Sequence, residues 1–372
     1  MSNVLFVGLG RVGLRSLRSF RELVKDVTIY AIDKDPSVGR LVGGLSGVEF
    51  YVYKPGVLSE LAKKASLAVT ALPSSVAFDM ISELVKRGVS VVDVSFFAED
   101  PYSLEDYVMR RNSVFVPDAG FAPGYSNLVV GHAVEELGAV NAIDVYVGEV
   151  PLGPAPPLDH VVTWSPLDLI EEYTRLARVV EDYQVRFVDP LESVIEVDLG
   201  DLGKFEGFLS DGLRTLIRNV RARRMREVTI RRPGHLSKMK LLRDLGLMSK
   251  EVVRVGDVDV RPADLLAELL ETRTPKDVEC LAILYIRVNG PSDDVSELAV
   301  LKGDPESPAI PTFTALVQAY TAKLVYEGEV EKGVHPLEDL AEFKKGYEDY
   351  LRSKGVGIAF ETARTLVERA NP

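Results

Sequence analysis

The chain has 372 residues and a formal charge of −12, with 46% hydrophobic and 27% charged residues. That balance belongs to a globular protein, the length suits two domains, and the acidic charge disfavours a nucleic-acid partner. No apolar run approaches the ~18 residues of a membrane span, and the N-terminus lacks the basic head of a secretory signal, so a cytoplasmic enzyme acting on a small molecule is expected.

The chain opens with 3-NVLFVGLGRVGLRSLRSF-20. Four apolar residues (4–7) read as a buried strand, Gly8-Leu9-Gly10-Arg11-Val12-Gly13 as a phosphate-binding turn, and a helix pattern follows. Gly8 allows the tight turn, Gly10 lets backbone reach a pyrophosphate, and Gly13 lets helix and strand pack closely. A second strand, 27-VTIYAID-33, ends in Asp33, twenty residues after Gly13. An acid there accepts the adenosine ribose hydroxyls and repels a 2′-phosphate, so NAD is favoured over NADP, with the adjacent Lys34 softening that preference. Further strands are expected at 48–53, 67–73, 89–95 and 113–117, with helical stretches such as 76–87 between several of them. The fold class is α/β: a Rossmann doubly wound parallel sheet. Ligands of such a sheet bind beyond the carboxyl ends of its strands. That rule places Ala71, Leu72, Pro73, Val94, Ser95, Asp118, Ala119 and Gly120 along the cofactor.

Beyond Gly124 the pattern changes. A helix is expected over 126–137, then strands at 142–151, 185–190, 193–198, 204–209, 226–235 and 278–288, with a helix over 261–271. These form a second, mixed α/β domain. The stretch 311–328 is apolar enough to pack back on the first domain, and a helix over 338–354 follows. The expected division is 1–122 plus about 310–372 as the NAD-binding domain and 123–309 as the substrate-binding and oligomerisation domain. The basic run 221-RARRMR-226 reads as a solvated helix face or subunit contact. One cysteine, Cys280, excludes an intramolecular disulfide, and four dispersed histidines give no metal-ligand spacing. Only two glutamines stand against 100 charged residues, as in heat-adapted proteins.

The motifs G-L-G-R-V-G, T-A-L-P, P-D-A-G-F-A-P-G-Y-S-N, Y-V-G-E-V-P, T-W-S-P-L-D-L-I-E-E-Y-T, S-D-G-L-R-T and R-R-P-G-H occur in that order. Together they resemble the saccharopine-dehydrogenase superfamily, and within it the lysine 6-dehydrogenase (L-lysine ε-dehydrogenase) branch. The resemblance implies a homodimer or larger assembly. It also implies NAD-dependent oxidation of the lysine ε-amine to piperideine-6-carboxylate (allysine), ammonia and NADH. In the saccharopine-reductase branch an acid just before Pro-Gly and a cysteine in the following strand are expected. Here Ala122 and Val147 stand in those places, which counts against saccharopine as substrate.

Oxidising a primary amine requires its ammonium to lose a proton first, and His235 is the candidate base. Asp118 is a candidate to orient the amine or the nicotinamide amide; a turn-forming aspartate is the equal alternative. A substrate carboxylate suits an arginine fork. Strand alternation in 228-VTIRRPG-234 turns Arg231 toward a polar cleft, with Arg232 as runner-up. Asp211, Arg214 and Thr215 are candidates for the amino-acid end, against a plain Asp-Gly turn. Trp164 is a candidate wall for the alkyl chain, against packing. Asn127 presents a helix N-terminus to a ligand, or simply caps it. Two further readings compete: a C–N forming reductase of the saccharopine or carboxyspermidine kind, and a non-catalytic NAD-binding sensor.

Overall fold

A computed structural model of the protein describes residues 3–192 and 194–364. The chain divides into two compact units, residues 3–128 with 311–353 and residues 129–310 with 354–364. Ser193, the first residue of the strand expected over 193–198, lies outside the described residues, as do residues 1–2 and 365–372 of the expected first domain.

The first unit holds a seven-stranded sheet. Its spatial order is Gly333–Val334, Val114–Val116, Ser90–Asp93, Ala65–Thr70, Asn3–Val7, Ile29–Asp33, Val48–Val52. Every pairing is parallel. This is the Rossmann order with one short strand added at an edge. Strands buried on both faces read as unbroken apolar runs, as V-L-F-V does. Leu5 and Val7 pack with Leu58, Ile81 and Leu84, while Phe6 meets Phe20, ring centroids 5.6 Å apart. Helix Gly13–Leu23 buries Gly13, Ser16, Leu17 and Phe20, the three-to-four spacing of a single face. From helix Ala309–Glu327, Gln318 donates through Nε2 to the carbonyls of Thr70 (2.7 Å) and Val92 (3.3 Å) at the ends of two strands. The helix expected over 338–354 begins instead as tight 3-10 turns, Leu337–Phe343, because Leu340 leaves helical geometry (φ −104°, ψ 24°); the α-helix is Lys344–Ser353.

The second unit is built on a mixed sheet. Its main path runs Ile195–Asp198, Lys204–Ser210, Arg224–Arg231, Ala142–Pro151, Cys280–Asn289, Asp293–Gly303, Gly357–Arg364. Arg224–Arg231 also pairs with Ala177–Glu181, which pairs with Gln184–Val188. Only Arg224–Arg231 with Ala142–Pro151 is parallel among these pairings. Gly357–Arg364 pairs antiparallel with Asp293–Gly303, whereas the sequence expectation counts that segment with the first domain. The strand expected over 226–235 ends at Arg231; a helix, His235–Asp244, begins four residues later.

The loop 117–127 is held from several sides. Ala119 N–H donates to the carbonyl of Asp93 (2.7 Å), and Tyr125 N–H to that of Gly120 (2.8 Å). The Phe121 ring is buried 4.5 Å from Phe313, which also meets Tyr125 at 5.6 Å. Gly120 and Gly124 form a backbone bridge. Gly124 has φ +137°, and a Cβ placed on it would lie 2.1 Å from the carbonyl oxygen of Gly120. A side chain there meets both a disfavoured backbone region and another backbone. Gly124→Ala is expected to lose at least about 1–3 kcal/mol, read as a lowered melting temperature. An unchanged melt would mean that this loop relaxes freely.

Candidate functional site

In the first unit the expected cofactor residues gather at the carboxyl edge of the parallel sheet. Gly8 follows strand Asn3–Val7, Asp33 ends Ile29–Asp33, Ala71 follows Ala65–Thr70, and Val94 follows Ser90–Asp93. A Cβ on Gly13 would sit 1.9 Å from the Gly8 carbonyl oxygen, so the helix packs backbone to backbone against the turn. Gly10 is exposed, with nothing within 4 Å of where its Cβ would stand. The N-terminus of helix Gly13–Leu23 receives no side-chain cap, and the dipole of such an end suits an anion. Asp33 accepts from Leu9 N–H (2.6 Å) and Asp35 N–H (2.9 Å), and so ties the glycine turn to the second strand. Arg11 and Val12 are half-buried, and Lys34 and Pro73 are exposed.

Behind this edge lies a carboxyl that the sequence reading did not single out. Asp93 is fully buried and accepts from Thr70 Oγ1 (2.5 Å), Ser95 N–H (2.8 Å) and Ser95 Oγ (2.7 Å). Burial pushes its pKa up to about 7, against the pull of those hydrogen bonds. Ser95 Oγ in turn accepts from Leu72 N–H (3.0 Å). The network fixes two of the loops that carry expected cofactor residues.

The second unit encloses a polar group around Arg231. On strand Arg224–Arg231 alternation puts Glu227, Thr229 and Arg231 on one face, all of them buried. Arg231 donates from Nε to Tyr173 Oη (3.0 Å), from one terminal nitrogen to the Ile230 carbonyl (3.0 Å), and from the other to Glu172 Oε2 (2.7 Å). Helix Pro166–Glu172 delivers Glu172 and Tyr173. Ser165 caps it by accepting from Asp168 N–H, Pro166 stands in its first turn, and Leu169 and Ile170 bury its inner face. Glu172 keeps 23% side-chain exposure and is the member of the group that reaches solvent. On the neighbouring strand Glu149 is buried, accepting from Thr163 Oγ1 and from Ile310 N–H (3.1 Å). Glu227 accepts from Ser210 Oγ (2.9 Å). Burial raises the pKa of Glu149 and Glu172, and raises that of Glu227 to about 8.

His235 closes this group. Its Nδ1 lies 2.8 Å from the Leu158 carbonyl oxygen, which can only accept, so Nδ1 carries the proton. Its Nε2 therefore accepts from Tyr173 Oη, 2.8 Å away. Helix His235–Asp244 turns the ring inward, and Glu206 receives the N–H groups of Gly234 (2.9 Å) and Leu236 at the helix start. Burial and then the Arg231 charge push the His235 pKa down to about 3, while burial lifts Tyr173 to about 12. The expected accessible base thus has both ring nitrogens engaged and no exposed surface. Its lone pair belongs to Tyr173. His160 packs edge-on against it, ring centroids 5.3 Å apart.

The other expected residues scatter. Asp118 is buried in the first unit at φ +52°, with its own carbonyl accepting from Gly120 N–H. Asn127 is buried there too; it accepts from Gly124 N–H (3.2 Å) and donates to Glu338 (3.1 Å), which makes it a clamp of the loop. Asp211 is taken by Arg178 in a two-pronged ion pair of 2.6 and 3.0 Å rather than presented to a ligand. Arg214 is buried at φ +50°, Thr215 is buried, and Trp164 packs half-exposed against the apolar cluster of Tyr173 and Phe208. Arg231 alone of the expected second-unit substrate residues lies with His235. Glu149, Glu172, Tyr173 and Glu227 were not singled out. Two of them stand in the quoted motif T-W-S-P-L-D-L-I-E-E-Y-T, and Glu149 in Y-V-G-E-V-P. Cys280 is a buried thiol pushed up to about 12 by its surroundings. Among the described residues no group of three His, Cys, Asp or Glu is arranged to hold a metal.

Glu227 makes stability depend on pH with a definite sign. Its folded pKa lies above its unfolded value, so the stabilisation it gives is complete below about pH 4 and is lost as pH rises through about 8. The wild-type chain is expected to lose stability between pH 5 and 8 more steeply than Glu227→Gln, by up to about 1.4 kcal/mol per pH unit. Parallel denaturation profiles would mean that Glu227 is ionised throughout.

The family model described as the saccharopine dehydrogenase C-terminal domain matches residues 120–356. Among solved structures, the apo histidine-tagged saccharopine dehydrogenase (L-Glu forming) from Saccharomyces cerevisiae aligns over 98% of this chain and 100% of its own, at 14% identity and a TM-score of 0.78. At that identity the likeness establishes the fold. A putative myo-inositol dehydrogenase from Sinorhizobium meliloti 1021 aligns over 98% and 99%, at 11% identity and a TM-score of 0.45, and no argument rests on it. With a family match that spans well over half its length, the chain belongs to the saccharopine dehydrogenase C-terminal domain family.

Proposed function

We propose that the protein is an NAD-dependent dehydrogenase that oxidises the ε-amine of L-lysine, giving piperideine-6-carboxylate, ammonia, NADH and a proton. The observation that carries this reading is one buried guanidinium, Arg231, set beside the carboxyls of Glu149 and Glu172. Such a group complements a molecule that bears both a carboxylate and an amine. Three of the five N–H groups of Arg231 are used in the contacts above, and the fork of the remaining two suits a carboxylate. The carboxyls of Glu149 and Glu172 supply acceptors for an amine. His235 and Tyr173 are read as positioning residues, holding the guanidinium by hydrogen bonds rather than touching substrate.

NAD fits the first unit because the glycine turn leaves open space at Gly10, the helix behind it is uncapped, and Asp33 ends the second strand. When bound, NAD supplies the hydride acceptor. Asp33 and the turn 8–13 would bind its ribose and pyrophosphate, with residues 71–73, 94–95 and 118–120 lining the rest. Against a C–N forming reductase of the saccharopine kind, Ala122 and Val147 carry no titratable proton, and the buried Cys280 thiol does not ionise near neutral pH.

The test is NAD reduction with lysine, ornithine, saccharopine and polyamines, with ammonia followed in parallel. NADH and ammonia in equal amounts from lysine are expected. Clear NAD binding without turnover of any amine would sink the proposal and favour a sensor. Gly10→Ala separates the cofactor assignment from folding. Its methyl meets no protein atom, so the melting temperature without NAD is expected to hold. NAD affinity is expected to fall by about tenfold or more, from the ~1–3 kcal/mol cost of a lost or crowded hydrogen bond. Unchanged affinity in a titration would place the pyrophosphate elsewhere.

A further inference from the structure

His160 is the one residue beside the Arg231 group whose polarity has no use within the described structure. It is 3% exposed, and neither Nδ1 nor Nε2 has a hydrogen-bond partner. A neutral imidazole carries one donor and one acceptor, and each buried group left unmatched costs stability. A phenyl ring would fill the same space without that cost.

Nor is the ring loosely placed. Lys238 Nζ donates to the Pro157 carbonyl (2.9 Å) and to Asp159 Oδ2 (2.8 Å), so the segment just before it is tied down. Two residues upstream, the Leu158 carbonyl receives His235; three residues downstream, Thr163 donates to Glu149. Arg231 and His235 both disfavour a charge on His160, and burial does so most of all, which keeps the ring a neutral acceptor. Among the described residues nothing partners this ring, and the Arg231 charge acts on it, so a molecule bound at Arg231 is in place to do so.

Resting on the amine-dehydrogenase reading above, we infer that His160 is a substrate-contact residue whose unprotonated ring nitrogen accepts an N–H of the amino acid held by Arg231. A neutral acceptor at that place fixes the nitrogen without adding a charge.

The experiment compares wild type with His160→Phe, which keeps the shape, and His160→Asn, which keeps an acceptor. Melting temperature, NADH affinity, and kcat and KM for lysine are measured on each. His160→Phe is expected to melt at or above the wild-type temperature, to bind NADH normally, and to lose about 10- to 100-fold in kcat/KM for lysine, with part of that loss recovered in His160→Asn. A water-filled role alone would leave kcat/KM within threefold in both variants, and that outcome overturns the inference. Should His160→Phe fail to fold, wild-type protein labelled with 15N in its histidine rings decides: lysine must shift a His160 ring nitrogen resonance, and no shift overturns the inference. Wild type inactive on every amine would fell the preceding proposal and this inference with it. Active wild type with an equally active, folded His160→Phe would fell this inference alone.

Discussion

A guanidinium keeps its charge at any pH a protein meets, so it enters an interior only where that charge is answered. In the second unit this requirement falls on Arg231, and much of the surrounding structure meets it. Helix Pro166–Glu172 ends where Glu172 and Tyr173 reach the guanidinium, and the Tyr173 and Phe208 rings lie within 6 Å of it, 5.9 and 5.7 Å away. Glu149 stands on the neighbouring strand. A third carboxyl, Glu227, shares the face of Arg231's own strand. Burial and the nearby Glu172 and Asp211 oppose its ionisation, so that it holds a proton near neutral pH. One cation thus favours the charged form of two acids, Glu172 through a direct ion pair and Glu149 through its field, against the burial that raises both.

The first unit solves a different problem, that of close backbone approach. Helix Gly13–Leu23 can meet the turn at Gly8 only because Gly13 brings no Cβ into the contact, and Gly8 can lie against the Ala71 carbonyl for the same reason. The same holds where Gly124 crosses Gly120 in the loop after the sheet. Between these crossings Asp93 uses hydroxyls in place of a counter-charge. Thr70 and Ser95 satisfy its oxygens, and Ser95 passes the constraint to Leu72. Hydrogen bonds do here what ion pairs do around Arg231.

How much of this was legible in the sequence follows from range. The strands of the parallel sheet other than Gly333–Val334, the glycine turn and Asp33 are local patterns, and each was readable. Strand Ala142–Pro151 was read with its observed ends, and Arg231 was assigned to the polar face by alternation, with the family resemblance pointing the same way. The strands Asp293–Gly303 and Gly357–Arg364 were missed because their meaning lies in pairing with each other and with Cys280–Asn289. At His235 the Pro-Gly pair signalled a turn, but a turn does not say which way the next ring faces. That depends on a helix starting there and on Glu206 from another strand. Asp211 was read as a turn residue or a ligand, and its partner Arg178 lies 33 residues away. Long-range partners, not local propensity, separate these candidates.

The hydrogen bonds around Arg231 also have a direction. The Leu158 carbonyl can only accept, which fixes the His235 tautomer; His235 Nε2 must then accept from Tyr173, and Tyr173 must accept from Arg231. Each proton in the line has one place, set at its far end by a backbone oxygen. Neither His235 nor Tyr173 titrates near neutral pH, so the arrangement does not change across the range in which a dehydrogenase works. The Ile230 carbonyl and Glu172 pin the rest of the guanidinium. A carboxylate that binds Arg231 consequently meets a fork already oriented, with little side-chain entropy left to lose. His235 thus orients the guanidinium through Tyr173, with its own ring closed to solvent.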